Sequence, residues 1–411
     1  MTTAVVVLCS AFLTGAGAAA ATGAPAARGA ALTGTWGTAQ EVPGTGALNV
    51  AGRAGITSVS CNSAGNCGAA GFYASGTLNS VRIQQAMVVS EINGIWGKAA
   101  EVPGTAALNA GGNAGISELA CTSAGNCSAG GHYTDAAGIQ QAFVVSETNG
   151  TWGTAVEVPG FAALNVGTPG GTVNSLSCGA AGNCSAGGYY SDAAGHWQAF
   201  VVSETNGTWG TAKEVPGSGG LNAGGHAMIN SVACAAAGTC SAGGSYASSS
   251  VDGVPTVQAF VLTETNGTWG AAKEVPGTAS LNAGKYAEVN SVSCASAGNC
   301  SAGGEYTNGT PATEAFTVNQ VNGTWRTAKG SPRHRGPERR RARPDHLVVM
   351  HLGGQLQRRR VLRGCLLQQP GLRAQPDQRH LGHGPGGPRL PGPRHGQPWR
   401  RAHLGVLWRP G

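Results

Sequence analysis

The chain has 411 residues, with 69 Gly, 12 Cys, only 11% charged residues and a formal charge of +7. Residues 330–411 hold 17 Arg, no Lys and 3 acidic residues, which leaves 9 basic and 16 acidic residues in the first 329. The body is therefore mildly acidic, and the net charge is excluded as a sign of nucleic-acid or other anionic partners.

From Ala4 the N-terminus reads AVVVLCSAFLTGAGAAAATGAPAA, an apolar core followed by small residues with A-x-A-like sites. This predicts a signal peptide over residues 1–27 and a secreted protein, extracellular or at the cell surface. The run is too short for a membrane span. Leu8 before Cys9 argues against a lipid anchor, and Met-Thr-Thr lacks a basic opening, which implies a start further upstream.

Residues 31–329 are repetitive. Trp36, Trp96, Trp152, Trp209, Trp269 and Trp325 recur at intervals of 60, 56, 57, 60 and 56 residues. Each opens a phrase such as TWGTAVEVPGFAALN from Thr151. A second phrase follows, as in NSLSCGAAGNCSAGGYY from Asn174, and then a third, QAFVVSETNG from Gln198. Repetition at this period means a solenoid, a propeller or an array.

One unit predicts four short strands. NSVSC (Asn290 to Cys294) is the first and CSAGGEY (Cys300 to Tyr306) the second, joined by a small polar turn. QAFVVSE (Gln141 to Glu147) is the third, with Phe143 and Val145 opposite Ala142 and Val144. Asn149-Gly150 then turns the chain into a fourth strand, TWGTA. Asn-Gly suits a type I′ hairpin turn, which needs φ > 0 at both central residues. Pro at 43, 103, 159, 216 and 276 ends each fourth strand. Four strands per tandem unit predict an all-β, β-propeller-like fold. An open array of disulfide-pinned β modules is the alternative.

Ten cysteines fall in five C-x5-C pairs: Cys61/Cys67, Cys121/Cys127, Cys178/Cys184, Cys234/Cys240 and Cys294/Cys300. Five residues containing Gly close a hairpin loop and bring two Cβ atoms within bonding reach. In a secreted chain this predicts one disulfide per unit, holding strands one and two together. So small a loop contributes about 2–3 kcal/mol per bridge. Zinc would want a second ligand pair at short spacing. No His recurs with these pairs, since His132, His196 and His226 each occur in a single unit. No metal and no cofactor is expected.

The SETNGTW turn at Ser146 to Trp152 resembles the Asp-box (BNR) turn of sialidase-type propellers, although it is one residue shorter and lacks the Asp. Together with one C-x5-C pair per repeat, this makes the chain similar to secreted bacterial propeller-like repeat proteins. The resemblance implies a propeller and says little about activity. A sialidase-like site would need several arginines for a carboxylate, and the body has only Arg28, Arg53, Arg82 and Arg326. No catalytic residue is assigned.

Glutamates recur twice per unit, as Glu91, Glu147, Glu204 and Glu264 before the Asn-Gly turn and Glu101, Glu157, Glu214 and Glu274 before Val-Pro. Paired carboxylates suit glycoside hydrolysis, but a catalytic pair is needed once rather than in every unit. A ring of acids would suit calcium or a cationic partner; solvated strand ends are the expectation. Tyr73, Tyr133, Tyr190, Tyr246 and Tyr306 end each second strand and are expected to pack in the core or rim. Just after them length and composition vary most, which marks the contact face. His132, Asp135, Asp192, His196 and Trp197 are the binding candidates there, with Trp197 suited to stacking on a sugar ring. The Asn-Gly-Thr runs at Asn149, Asn206, Asn266, Asn308 and Asn322 also fit N-glycosylation, and turn chemistry accounts for four of them.

The tail, residues 330–411, is rich in Arg, Pro and Gly. Read one nucleotide later, Pro332 to Arg341 permits PGTAALNAGG, identical to Pro103 through Gly112. Met350 to Arg360 permits CTSAGNCSAGG, identical to Cys121 through Gly131. Segments from Gln369, Asp377 and His403 permit QAFV, TNGTWGTA and TSVSC. The arginines are then Ala and Gly codons of a GC-rich, bacterial gene read out of frame. The shift lies between Ala328 and Pro332, where AKEVPG has become AKGSPR. The tail is expected to be disordered, Cys365 to be unpaired, and no nucleic-acid arm is assigned.

These readings converge on a non-catalytic secreted scaffold, truncated by a frameshift, that binds an extracellular glycan or protein. The alternatives are a glycan-active hydrolase with its site in the lost repeats, and a product without function.

Overall fold

The computed structural model describes residues 37–251, 253–310 and 312–330, together with the backbone of 351–352 and 355–356. Within the tail the last four form an antiparallel pair, His351–Leu352 with Gln355–Leu356. The segment 1–27, where a signal peptide is expected, and nearly all of the tail at 330–411, Cys365 included, lie outside the described residues.

Five sheets of the same design follow one another. Sheet 1 consists of Ala54–Ser63, Asn66–Leu78, Val81–Ile92 and the short pieces Ile95–Trp96 and Ala100–Glu101. Sheet 2 is Gly115–Ser123, Asn126–Thr134, Gln140–Thr148, Thr151–Trp152 and Val156–Glu157. Sheet 3 is Thr172–Ala180, Asn183–Ser191, Trp197–Thr205, Thr208–Trp209 and Lys213–Glu214. Sheet 4 is Ala227–Ala236, Thr239–Val251, Val254–Thr265, Thr268–Trp269 and Lys273–Glu274. Sheet 5 is Ala287–Ser296, Asn299–Thr307, Thr313–Val321, Thr324–Trp325 and Lys329–Gly330. Strands within each sheet pair antiparallel, and each sheet packs on the next through its first strand. The fold is all-β and β-propeller-like.

The turn chemistry acts as the sequence predicts. Asn149 and Gly150 take φ of 51° and 79°, the left-handed pair that a type I′ turn requires. Each Cys pair is bonded across the first hairpin of its sheet: Cys61 to Cys67, Cys121 to Cys127, Cys178 to Cys184, Cys234 to Cys240 and Cys294 to Cys300. The two members of each pair face one another in register. The second glycine of Ala-Gly-Gly has a steric origin. The first strand carries a bulge there, and a Cβ on Gly131 would lie 2.0 Å from the Gly115 carbonyl oxygen.

Three features differ from expectation. The first concerns the cysteine hairpins, where strands run past both cysteines. Ala236 pairs with Thr239 beyond Cys234 and Cys240, so the expected five-residue loop is only the turn Ala237-Gly238. The ladder therefore continues through the bridge, and Cys240 is not the first residue of its strand. Nor is Cys240 only a hairpin staple. It is 3% exposed and packs in the seam core with Val232, Ala242 and Phe260, as Cys184 does in the seam before it. A half-cystine turned toward the neighbouring sheet is a small apolar group, so its burial follows from the seam.

Second, the fourth strand is split, because Gly153 N–H donates to the Ser146 carbonyl and shifts the register between Thr151–Trp152 and Val156–Glu157. Third, after each Val-Pro-Gly the chain makes one helical turn, as at Thr105–Leu108. The preceding Gly104 sits at φ 85°, which only glycine adopts cheaply.

The core lies in the seams between consecutive sheets. Ala70, Ala86 and Val88 of sheet 1 pack on Ile116, Leu119, Tyr133, Phe143 and Val145 of sheet 2. Sheets 2 and 3 repeat the pattern around Phe200, and sheets 3 and 4 around Phe260. Third strands in sheets 1 to 4 are thus covered on both faces, so their runs, QAMVV in sheet 1, QAFVV in sheets 2 and 3 and QAFVL in sheet 4, are apolar without alternation. Burying each phenylalanine contributes roughly 1.5–3 kcal/mol.

Candidate functional site

Three of the four glutamates before the Asn-Gly turn are buried rather than solvated strand ends, and the fourth, Glu91, is half-buried. Glu147, Glu204 and Glu264 are buried, with 4%, 3% and 0% exposure. Each reaches from its third strand into the preceding sheet, where hydroxyl groups wait. Ser146 and Ser128 donate to the two oxygens of Glu204 at 2.7 and 3.2 Å, and Ser203 and Ser185 to those of Glu264 at 2.6 and 2.8 Å. Gln320 takes the same place in sheet 5 and donates to Thr263 Oγ1 at 2.8 Å. Seam packing leaves the carboxylates little contact with water, and the hydroxyl donors offset their desolvation. Burial still pushes the Glu147 and Glu204 carboxyls above the usual range, with the serine bonds pulling the other way.

The second glutamate set is also structural. Tyr133 donates its hydroxyl to Glu157 at 2.5 Å, Tyr190 to Glu214 at 3.0 Å and Tyr246 to Glu274 at 2.8 Å, and Tyr73 does the same to Glu101. Burial, reinforced by the adjacent carboxylate, raises the hydroxyls of Tyr73, Tyr133 and Tyr246 above the ordinary tyrosine value. The tyrosines pack in the core, as expected for them, at 2–7% exposure.

Sequence reasoning passed over a further repeated link. The Asn after each helical turn donates Nδ2 to the preceding sheet. Asn109 binds Gln85, Asn165 binds Gln141, Asn222 binds Gln198 and Asn282 binds Gln258, at 2.8–3.1 Å. The signal was present as the recurring LN and QA pairs, but nothing local shows that residues 24 apart meet.

The five binding candidates lie toward the end where the second and third strands are joined. Asp135 and Asp192 occupy equivalent turns. Oδ1 of Asp135 accepts the N–H groups of Ala137 and Ile139 at 2.9 Å, and its Oδ2 accepts from Gln141 at 3.0 Å. Asp192 uses Ala194, His196 and Gln198 in the same way. Partial burial raises these carboxyls, but the combined hydrogen bonds outweigh it and hold both below the usual range. Both aspartates are thus the fasteners of their turns.

His132 lies within the second strand of sheet 2, where burial lowers its basicity. His196 is exposed, its Nδ1 3.8 Å from Asp192 Oδ2. Trp197 stacks on Tyr189 of its own sheet (centroids 4.4 Å apart) and on His226 of sheet 4 (4.5 Å). The structure therefore joins Asp192, His196 and Trp197 on one hairpin and adds Tyr189 and His226, while His132 and Asp135 belong to the neighbouring sheet. The seam partner His226 is the member that spacing alone did not bring to Trp197.

A cleft of about 290 Å³ lies at the opposite end, between the hairpin ends of sheets 2 and 3, lined by Asn126, Ser146, Glu147 and Asn206 among others. Among the described residues no three His, Cys, Asp or Glu side chains gather as a metal ligand set, and no helix is long and apolar enough to cross a membrane.

No protein-family model matches the chain, and no curated protein matches it. Among solved structures it is similar to a protein of unknown function from Dyadobacter fermentans DSM 18053, at 10% identity and a TM-score of 0.38, covering 64% of this chain and 75% of that one. A glycosyl hydrolase from Bacteroides ovatus gives 11% identity and a TM-score of 0.30, covering 67% and 82%. A GH43_1 enzyme from Xanthomonas citri gives 10% identity and a TM-score of 0.29, covering 69% and 95%. At these values the likenesses assign neither family nor activity.

Proposed function

We propose that the protein is a secreted, non-catalytic repeat scaffold that holds an extracellular glycan or protein on the rim formed by the loops between second and third strands. The supporting observation is a contrast between the two ends of the sheets. At the disulfide end every unit makes the same small turn and the same Asn-Gly turn. At the rim the connections vary in length and sequence, from the two residues Asn79-Ser80 in sheet 1 to the longer turns fastened by Asp135 in sheet 2, Asp192 in sheet 3 and Asn308 in sheet 5. Variation displayed on an invariant frame is how repeat proteins present a binding face. The recurring glutamates of sheets 2 to 4 serve the frame, so their repetition supplies no reason to read them as catalytic. The stack of Tyr189, Trp197 and His226, with exposed His196 beside it, is the part of the rim best equipped for a sugar or a protein side chain.

The test is a binding screen of the full chain against an array of polysaccharides and extracellular proteins. It is repeated with the Asp192–His196 loop replaced by the two-residue Asn79-Ser80 turn. The proposal expects a ligand whose affinity falls at least about tenfold in the loop variant while the variant stays folded with its five disulfides formed. Turnover of any glycan would replace it with the hydrolase reading. A screen without ligands would leave a product without function.

A further inference from the structure

Four times along the chain one sheet closes on the next with the same equipment. Third-strand Val88, Val144, Val201 and Val261 are buried against the following sheet. In the last two seams first-strand amides cross as well, Asn174 Nδ2 to the Ile229 carbonyl and Asn230 Nδ2 to the Val289 carbonyl, both at 2.9 Å. First-strand hydroxyls accept in return, Ser175 from Val232 N–H and Ser231 from Val292 N–H.

Sheet 5 keeps the first-strand Asn290 and Ser291, has Thr317 where the other third strands carry valine, and turns this face to solvent. Phe316, Val318 and Gln320 are buried toward sheet 4, while Ala315, Thr317 and Asn319 between them are exposed. Their counterparts by register in sheet 3 are Ala199 and Val201, both buried, and half-buried Ser203. Asn290, the counterpart of Asn174 and Asn230, is exposed as well. A one-sided strand in a fold whose other third strands are two-sided marks a half-interface. The frame also departs from its pattern at this sheet's last strand. Phe316 pairs with Gly330, where Phe260 pairs with Glu274, and a Cβ at Gly330 would lie 2.7 Å from the Tyr306 hydroxyl.

We infer that the open face of sheet 5 is the docking surface for a sixth repeat of the same kind, and that its occupant is the repeat spelled by the segment after Gly330 read one nucleotide later. The chemistry of that segment fits the face. PGTAALNAGG supplies the helical turn and the Asn that, in four earlier seams, reaches the third strand of the preceding sheet, where sheet 5 has Glu314. CTSAGNCSAGG supplies the disulfide hairpin, and QAFV supplies the phenylalanine that fills each seam. The segment begins two residues beyond the last strand of the sheet it would cover.

The inference is independent of what the rim binds. Its test compares the full chain as it exists with the chain restored by a single-base correction, each carrying Thr317→Cys or, separately, Asn319→Cys. Val201→Cys in sheet 3 serves as the buried control. Labelling with a maleimide under native conditions should be fast at both sites in the existing chain. In the restored chain it should be at least about tenfold slower at both, with the control slow throughout. Mass analysis of the restored chain should show a sixth disulfide. Fast labelling in both chains overturns the inference. So does protection in the existing chain, whether at all concentrations, when its own tail covers the face, or only at high concentration, when a second copy does. Two separate sites keep the result readable if one variant folds poorly.

Discussion

The seam between sheets 1 and 2 and the seam between sheets 3 and 4 are built to one plan, yet they treat their buried glutamate differently. Glu264 receives Ser203 on one oxygen and Ser185 on the other. Glu147 receives Ser90 on Oε1 at 2.8 Å, and its Oε2 is buried without a hydrogen bond. The cause is one residue: Gly68 stands where the other sheets place Ser128, Ser185, Ser241 and Ser301. Packing holds the carboxyl in place in both seams, but only the second seam fully satisfies it. A repeat frame can thus lose one donor and keep its geometry.

The largest effect should come from a contact that both seams share. Gly131→Ala would drive a Cβ against the Gly115 carbonyl at the bulge. A loss of more than about 3 kcal/mol in urea unfolding is expected, because backbone rather than a flexible side chain must move. Next comes the comparison itself. Glu264→Ala strands two hydroxyls and opens a cavity, so about 2–4 kcal/mol should be lost. Glu147→Ala should cost clearly less. Equal losses would mean that the second serine contributes nothing and would remove the distinction between the seams.

Much of this frame was legible in advance, because its signals are local. Asn149-Gly150, the C-x5-C spacing and the phrase QAFVV each specify a hairpin, a bridge or a strand within about ten residues of themselves. What lay beyond the unit was not legible. The Cys234–Cys240 bridge follows from spacing, whereas the burial of Cys240 beside Phe260 follows from the adjoining sheet. The recurring acids were misjudged for the same physical reason. Glu204 looks like a strand end beside a turn, and its burial depends on Ser128 and Ser146 in the preceding sheet, 76 and 58 residues away. Exposure in a repeat protein is decided by the neighbouring unit, which a single unit's pattern does not contain. The rim divides likewise. Asp192, His196 and Trp197 were found together because they are close in sequence, whereas Tyr189 and His226 joined them through cross-strand and cross-seam geometry.

A smaller effect follows from acidity. Burial raises the carboxyls of Glu118, Glu147, Glu204 and Glu288 in the folded chain, so folding disfavours their charged forms. The stability they allow is complete below the unfolded value, about pH 4.3, and is lost as pH rises through their folded values. Asp135 and Asp192 are shifted downward, so their contribution is present above about pH 3.9 and is lost as pH falls through their folded values. Melting temperature should therefore rise as pH is lowered from 7 toward about 4.5 and fall again below about 3.5. Glu147→Gln should flatten the first limb, raising stability at pH 7 and changing little near pH 4. A melting profile that falls steadily from pH 7 to pH 4 would show that these carboxyls keep ordinary acidities.

The smallest and most discriminating change is Gly68→Ser, which writes the missing donor back into the first seam. The hydroxyl would stand where Ser128 and Ser185 stand, within reach of the neighbouring glutamate, and should lower the Glu147 pKa toward the usual range. The room is tighter than in the other seams. A Cβ at Gly68 would lie 2.8 Å from Cys121 Sγ and 3.1 Å from Leu119 Cδ2, and a disulfide sulfur yields little. The new hydrogen bond, about 1.5–3 kcal/mol to a charged acceptor, is offset by this overlap, of similar size. Stability at pH 7 should therefore change by less than about 1 kcal/mol in either direction. The slope of melting temperature against pH between 7 and 5 should nevertheless shrink, because slope reports the carboxyl and not the packing. An unchanged slope would place the origin of the acid effect in Glu118, Glu204 and Glu288 instead, and the two seams would then differ in hydrogen bonding without differing in charge.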